Sequence, residues 1–385
     1  MDGDWSCSYF KNGVKKPTLL VAAPTPPPWA GPEAATQTLL SSPILSQHFT
    51  LQLLRTNLNT TNRDKGRIRA ETFLQLFRLW GALFWRLARA KPDRLYLHLS
   101  QNWQGFLRDA SFILWGNLFS IRIAAHFHGG DFAAFYRRQS STGQSFIRMI
   151  LRKVDRVLVL SERLRSQFDG LVDPQCMAVV ANAVLETPSL PIAKNSSQIT
   201  ILSLGSIASS KGSGLLLEAG ERLCQMYPTV HLELVGEVIQ VDRNITRDAE
   251  GNKLPSTDFL RKPASERIQL YPPEYGDTKI RRYQKADVFV LASYSEGWPM
   301  AVLEAMSFGL PLVLTSVGGL PDTLKEREHA LFIPPGDAQA LEKALAKLIQ
   351  DPALRRLMGE NNRVLARTVF HPDVVARQLI KALES

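Results

Sequence analysis

Two glutamates stand eight residues apart in the densest chemical signal of the chain, the segment Ala292–Thr315, as Glu296 and Glu304. An apolar run ends near Ser293, and a short loop then carries Glu296 and Gly297. Pro299 suits a first helical position, and Gly309 suits the residue just past a helix end. The pattern therefore predicts a helix opening at the carboxyl end of a buried strand, with its unpaired N–H groups facing that edge. Open parallel sheets bind ligands at that edge. Glu304 has the apolar neighbours Val302, Leu303, Ala305 and Met306. A carboxylate there is costly unless it is hydrogen-bonded, and a pair of ligand hydroxyls would satisfy it. Periodicity alone allows equally that Glu304 lies on the exposed face of an amphipathic helix.

A second segment, Ile199–Leu215, reads as a strand, a loop of small residues (Gly205, Ser206, Gly212, Gly214) with Lys211, and a helix start. Small residues let a backbone approach a phosphate, the helix N-terminus favours anions, and a lysine adds a point charge. The spacing to Lys211 is not that of a Walker A loop. A third segment, Ala124–Asp131, ends an apolar strand with His126 and His128, which alternation places on one face. No Cys or Glu nearby completes a metal pair. The histidines are then either one in a cleft and one satisfied within the sheet, or both structural.

These residues need a scaffold, and the chain of 385 residues has room for two domains. Buried strands are expected at Pro17–Ala23, Arg94–Leu99, Ile121–Phe127, Val154–Leu160 and Met177–Val180, separated by helices such as Glu71–Ala90 and Ser161–Phe168. A Pro- and Gly-rich loop spans Pro24–Glu33, with a helix from about Glu33. Pro188–Ser197 reads as a linker. Beyond it the expected order is strand Ile199–Leu204, helix Leu215–Met226, strand Val230–Val235, strand Val288–Ala292, helix Pro299–Phe308 and strand Leu312–Thr315, with an irregular excursion over 237–277. Strands alternating with helices indicate parallel α/β sheets. The domains expected are 15–190 and 195–368, with a C-terminal helix near 370–385 packing back on the first.

Composition is 45% apolar and 21% charged, that of a soluble globular chain. Cys7, Cys176 and Cys224 lie too far apart for a zinc motif, and with no disulfide framework they fit a reducing compartment. The N-terminus lacks a signal-peptide pattern, and the most apolar stretch, Phe112–Ala125, is too short to span a bilayer. Residues 1–190 hold 23 Lys/Arg against 13 Asp/Glu, whereas 191–385 hold 23 of each. The first half thus faces something anionic. Within it, helix 71–90 carries Phe73, Phe77, Trp80, Phe84 and Trp85 beside Arg78, Arg86 and Arg89. That suits either a core helix with a solvated basic flank, or a membrane surface or lipid-linked acceptor. No nucleic-acid recognition motif appears.

The three segments occur together and in this order, and the chain resembles the retaining GT-B nucleotide-sugar glycosyltransferases of glycosyltransferase family 4. The E-x(7)-E pattern from Glu296 to Glu304, the following Ala-Met-Ser-Phe-Gly-Leu-Pro-Leu-Val, and Gly318-Gly-Leu-Pro-Asp322 carry the resemblance most densely. The first half is similar in layout, with Gly31 in its Pro-rich loop, Pro92–His98, the His128-Gly129 turn and Asp155–Glu162. The resemblance implies two Rossmann-like domains with a cleft between them. It implies Glu296 on the donor sugar, Glu304 on the nucleotide ribose, and the stretch Gly297, Trp298, Pro299 and Met300 lining sugar and phosphate. It implies Lys211 on the diphosphate, His128 in the cleft, and Gly31 near the donor phosphates. Ser206 occupies the place of the family's usual arginine, so one cationic clamp is missing or supplied elsewhere.

The expected activity is transfer of a hexose from a UDP- or GDP-linked donor to a glycan or lipid-linked acceptor in polysaccharide biosynthesis, with retained configuration. No cofactor and no metal are expected, since the only D-x-D, Asp2-Gly-Asp4, lies at the N-terminus. The expected location is cytoplasmic, with peripheral contact at the inner face of the membrane through the basic half. Two other functions fit the same fold: a sugar-nucleotide epimerase, or a catalytically weak nucleotide-sugar-binding subunit.

Overall fold

The structure, a computed structural model, describes residues 16–57, 70–186, 197–239 and 265–385, with side chains from residue 74 onward in the second stretch. The expected N-terminal tail, the Asp2/Asp4 pair, Cys7, Phe73, most of the linker and most of the 237–277 excursion lie outside the described residues.

The first sheet contains β1 (Thr18–Ala23), β2 (Thr50–Arg55), β3 (Arg94–Leu99), β4 (Arg122–Phe127), β5 (Arg156–Val159) and β6 (Met177–Val179). Its helices are α1 (Gly31–Leu40), α2 (Pro43–His48), α3 (Ala70–Ala90), α4 (Trp103–Leu118), α5 (Phe132–Arg137) and α6 (Ser141–Leu151). The second contains β7 (Ile199–Leu204), β8 (Val230–Val235), β9 (Ile268–Tyr271), β10 (Val288–Leu291), β11 (Leu312–Thr315) and β12 (Ala330–Ile333). It is flanked by α7 (Ser213–Met226), α8 (Gly276–Lys285), α9 (Met300–Ser307), α10 (Leu320–Thr323), α11 (Ala338–Gln350) and α12 (Pro352–Thr368), and α13 (Pro372–Glu384) follows α12. The spatial orders are β2-β1-β3-β4-β5-β6 and β12-β11-β10-β7-β8-β9, and every strand pair is parallel. The two Rossmann-like sheets expected from the alternation are present.

Burial on both faces explains why β10 and β11 carry almost no polar residues. In β10, Val288 and Val290 face the α7–α11 side, where they join Leu216, Leu341 and Leu345. Phe289 and Leu291 face the other side, in a cluster that continues through Trp298 and Phe370 into the first sheet. A strand covered on both faces must be apolar at every position. Each fully buried Val, Leu or Phe side chain contributes about 1.5–3 kcal/mol.

Several elements differ from the sequence expectation. Ser161–Phe168 is not an α-helix but a 3-10 turn over Arg163–Phe168. The irregular excursion contains β9, which pairs with β8 along Leu232–Val235, and ends where α8 begins. Strand β2 has no counterpart in the sequence expectation. Phe112–Ala125 splits into the end of α4 and the first four residues of β4, because Ser120, at φ 55°, turns the chain between them. After α12, which packs on α9, the chain crosses over. Helix α13 lies against α1, α2, β5 and β6.

Candidate active site

In the second sheet β7 and β10 are neighbours, and the order runs outward from them in opposite directions. The loops leaving their carboxyl ends therefore diverge and leave a crevice. Both chemical segments of the second half leave these two strands. After β7 a 3-10 turn, Ser209–Lys211, leads to Gly212 at φ 67° and into α7. A Cβ on Gly212 would stand 2.1 Å from the Ala292 carbonyl oxygen, so only glycine lets this loop press on the end of β10. The Tyr294 N–H donates to the Ser210 carbonyl at 3.0 Å and fixes the same contact. The outcome is that Lys211 Nζ lies 2.7 Å from Glu296 Oε1, with Ser293 Oγ donating to the same oxygen at 2.7 Å. The Lys211 and Glu296 side chains are 32% and 11% exposed. Ser206 is half-buried between Gly205 and Ile207 and supplies no cation.

Helix α9 begins at Met300, and Pro299 is its N-cap in extended conformation (φ −70°, ψ 130°), one position earlier than expected. Proline there has no N–H to lose. The N–H groups of Val302 and Leu303 turn back to the Pro299 carbonyl at 3.1 and 3.4 Å, and those of Met300 and Ala301 lie at the open end of the helix. Glu304, in the second turn, is 18% exposed. Its Oε1 receives Lys279 Nζ at 2.7 Å and its Oε2 receives the Tyr283 hydroxyl at 2.8 Å. The solvent-face reading of Glu304 is therefore excluded. Burial, then the Glu304 charge, push the Tyr283 hydroxyl well above its usual pKa, which keeps it a donor. Each carboxylate oxygen has two acceptor sites, so one on each remains for a diol. Lys279 and Tyr283, four apart on α8, were missed because that stretch borders the segment read as irregular. The helical spacing Lys279–Tyr283 was the available signal.

The first sheet closes over this crevice. Register pairs His98 of β3 with His126 of β4, and the His128 ring lies 4.0 and 4.2 Å from theirs, centroid to centroid. The partners decide the tautomers. His126 Nε2 lies 3.0 Å from the Val180 carbonyl, which can only accept, so Nδ1 accepts from the Tyr96 hydroxyl at 2.7 Å. Asn182 Nδ2 donates to the Trp298 carbonyl at 2.8 Å, which leaves its Oδ1 to accept from His128 Nδ1 at 3.0 Å. His128 Nε2 is thereby a bare acceptor, buried and without a partner among the described residues. Desolvation, opposed by the Asn182 hydrogen bond, lowers the His128 pKa to about 4. Burial likewise drives His98 and His126 well below the ordinary histidine value. His126 is the histidine satisfied within the sheet.

Glycines carry the meeting of the two halves. A Cβ on Gly130 would fall 2.1 Å from the Glu296 carbonyl oxygen, and one on Gly297 would fall 2.3 Å from that of His128. The His128–Gly130 turn thus rests directly on the Glu296–Gly297 loop. The Trp298 side chain is buried away from the crevice, 4.7 Å from Phe370. Gly31 opens α1, which packs on α9, and a Cβ there would meet open space. Among the described residues no group of three or more His, Cys, Asp or Glu is arranged to hold a metal ion. A cavity of about 460 Å³ lined by Asp93, Arg94, Arg122 and Glu384 lies at the opposite, amino ends of β3 and β4 and takes no part in this crevice.

Comparison with known proteins places this geometry. Residues 190–365 match the family model for glycosyl transferases group 1. A glycosyltransferase of Haemophilus influenzae without assigned substrate is 26% identical over 214 residues, covering 55% of this chain and 56% of that protein. The amylovoran biosynthesis glycosyltransferase AmsK of Erwinia amylovora is 29% identical over 192 residues, covering 48% and 44%. The chain spans about half the length of the curated relatives it matches. Among solved structures, sucrose-phosphate synthase from Thermosynechococcus elongatus superposes with a TM-score of 0.71 over 96% of this chain and 98% of that one, at 17% identity. Anabaena HepE in complex with UDP and glucose gives 0.69 over 96% and 100%, at 16% identity. The second sheet with its helices is thus matched by the group 1 glycosyltransferase model, and the two sheets together have the GT-B fold.

Proposed function

We propose that the chain is a glycosyltransferase that moves a hexose from a nucleoside diphosphate sugar, UDP- or GDP-linked, to a glycan or lipid-linked acceptor with retention of configuration. The observation that carries this reading is the 2.7 Å approach of Lys211 to Glu296 at the switch point between β7 and β10, with Glu304 on the helix that opens beside them. Retention and membership of glycosyltransferase family 4 rest on the E-x(7)-E resemblance, and the HepE complex lends support for a nucleotide-sugar donor.

Breaking the bond between the anomeric carbon and the phosphate oxygen leaves negative charge on the diphosphate. Lys211 and the open N-terminus of α9 stabilise that charge where it develops. Glu296, released from Lys211 by the incoming phosphates, turns to the sugar hydroxyls. Glu304 takes the ribose diol with its remaining acceptor sites, and His128 Nε2 accepts one sugar hydroxyl. The acceptor hydroxyl attacks the anomeric carbon on the face the diphosphate leaves. Its proton passes to the departing phosphate oxygen, so no protein carboxylate serves as a nucleophile and no metal is needed to neutralise the leaving group.

A panel of UDP- and GDP-hexoses tested by thermal shift, then by turnover with and without excess chelator, checks this reading. The expected result is one stabilising donor, turnover unaffected by chelator, and a product anomeric signal of the same configuration as the donor. Binding without turnover, or activity lost to chelator and restored by magnesium or manganese, would overturn it.

A further inference from the structure

Helix α3 has two apolar faces. Leu79, Leu83 and Leu87 are buried against the first domain. On the other side Leu74, Phe77, Phe84 and Trp85 are exposed, with Phe77 and Trp85 at 64% and 61%. Positions 74, 77, 78, 81, 84 and 85 share one side of a helix. On α4, Leu107, Leu114 and Leu118 form a second exposed row at intervals of seven and four, with Leu118 at 71%. The helices are clasped by Trp80 Nε1 donating to Ser111 Oγ at 2.8 Å, and by the Phe84 ring edge-on to Trp115 and Phe119 at 5.3 and 5.6 Å. The two rows therefore adjoin in one apolar surface, far beyond a scatter of single residues.

Charge decides what covers it. Among the described side chains of α3 and α4 the only acid is Asp109, which is buried and bonded to Arg108 at 2.7 Å. Arg78 and Arg89 are exposed on α3, and the Arg89 guanidinium lies 5.5 Å from the centre of the Trp85 ring. Asn117 Nδ2 donates to the Lys153 carbonyl at 2.8 Å, which places exposed Lys153 at the Leu118 end. A second copy docked about a twofold axis would set these cations against each other, with no exposed acid among the described side chains of the two helices to receive them. An anionic lipid surface meets both features, taking the rings into its interface and the cations into its headgroups.

We infer that the exposed α3–α4 face docks this chain on an anionic bilayer. The site is separate from the donor crevice, so its test needs no sugar donor and is independent of the proposed activity. The full chain is floated with vesicles of phosphatidylcholine alone and of equal parts phosphatidylglycerol and phosphatidylcholine. It should float with the mixed vesicles only, and less as salt rises. Phe77→Ser with Trp85→Ser, and separately Arg78→Glu with Arg89→Glu, should each lower the bound fraction about tenfold or more. These side chains are exposed, and unchanged thermal unfolding confirms intact folding. Trp85→Phe should keep binding. Absence of flotation with the mixed vesicles, or equal flotation of both double variants and the parent chain, would overturn the inference. So would a dimer in solution that the Phe77/Trp85 variant dissolves, since the occupant would then be a second copy.

Discussion

Lys211 and Glu296 neutralise each other across the crevice, so under the proposed function a donor exchanges one anion for another at the same ammonium group. On the same proposal, with Ser206 in place of a second cation, Lys211 should carry most of the charge stabilisation that side chains of this loop can give. Removing a group that acts on developing charge lowers kcat, whereas losing uniform binding raises KM alone. Lys211→Ala should therefore cost about 10²–10³-fold in kcat. Steady-state kinetics with the cognate donor check this, and an enzyme within a few-fold of the parent would place the clamp elsewhere. Glu296 keeps the Ser293 hydroxyl in that variant, so its carboxylate is not stranded. Glu304 has a comparable arrangement, and its two partners hold the carboxylate in place.

Strands β3 and β4 bring three histidines into van der Waals range, and the sheet fixes them in the neutral form. Protonating any of them would put a cation beside two imidazoles, with the Arg108 charge adding to the repulsion at His98. Their folded pKa values lie below the unfolded value of about 6.5, His128 at about 4. The unfolded chain therefore binds more protons below neutrality, and stability falls as pH drops from about 6.5 toward the folded values. Each proton taken up on unfolding changes stability by about 1.4 kcal/mol per pH unit in that window. The melting temperature should thus decline steeply between about pH 7 and pH 5, and His126→Asn should flatten the slope. A melting temperature that holds or rises over that interval would show that the histidines are not held neutral.

The two domains meet through backbone as much as side chain. Besides the glycine contacts, the Arg163 N–H donates to Asp322 Oδ2 at 2.6 Å, Asn182 reaches the Trp298 carbonyl, and the Val184 N–H donates to the Phe370 carbonyl at 2.8 Å. Helix α13 then straps the C-terminus to α1 and α2. A side chain at position 130 would act as a wedge in this contact. Gly130→Val should lower thermal stability by about 1–3 kcal/mol, the usual cost of overpacking, and turnover should fall about 10²-fold, the usual cost of displacing reacting groups by roughly an ångström, while nucleotide binding by the second domain changes less. Calorimetric titration with nucleotide alongside turnover separates the two effects. Equal loss in both would mean that the His128–Gly130 turn shapes the nucleotide site itself.

Much of this protein was legible in sequence because the relevant physics is short-range. The run Val288–Leu291 reads as a strand buried on both faces, Gly309 adopts φ 71° just past α9, and Glu296 to Glu304 spans a loop and the first turn of a helix. Backbone sterics and burial period decide such features within a few residues. Partner choice is decided by topology. Lys211 and Glu296 are 85 residues apart in sequence, and they meet because β7 and β10 are neighbours in the sheet. Glu304 has an apolar local context, and its charge is offset by Lys279 and Tyr283 from another helix. The tautomer of His128 is dictated by Asn182, which is itself fixed by a carbonyl of the other domain. Even the aromatic helix α3, whose sequence fits a core helix and a surface helix, buries one apolar face and exposes another once α4 packs on it. A periodic pattern shows that a side chain has an apolar neighbour, and only the packed molecule shows whether that neighbour is protein.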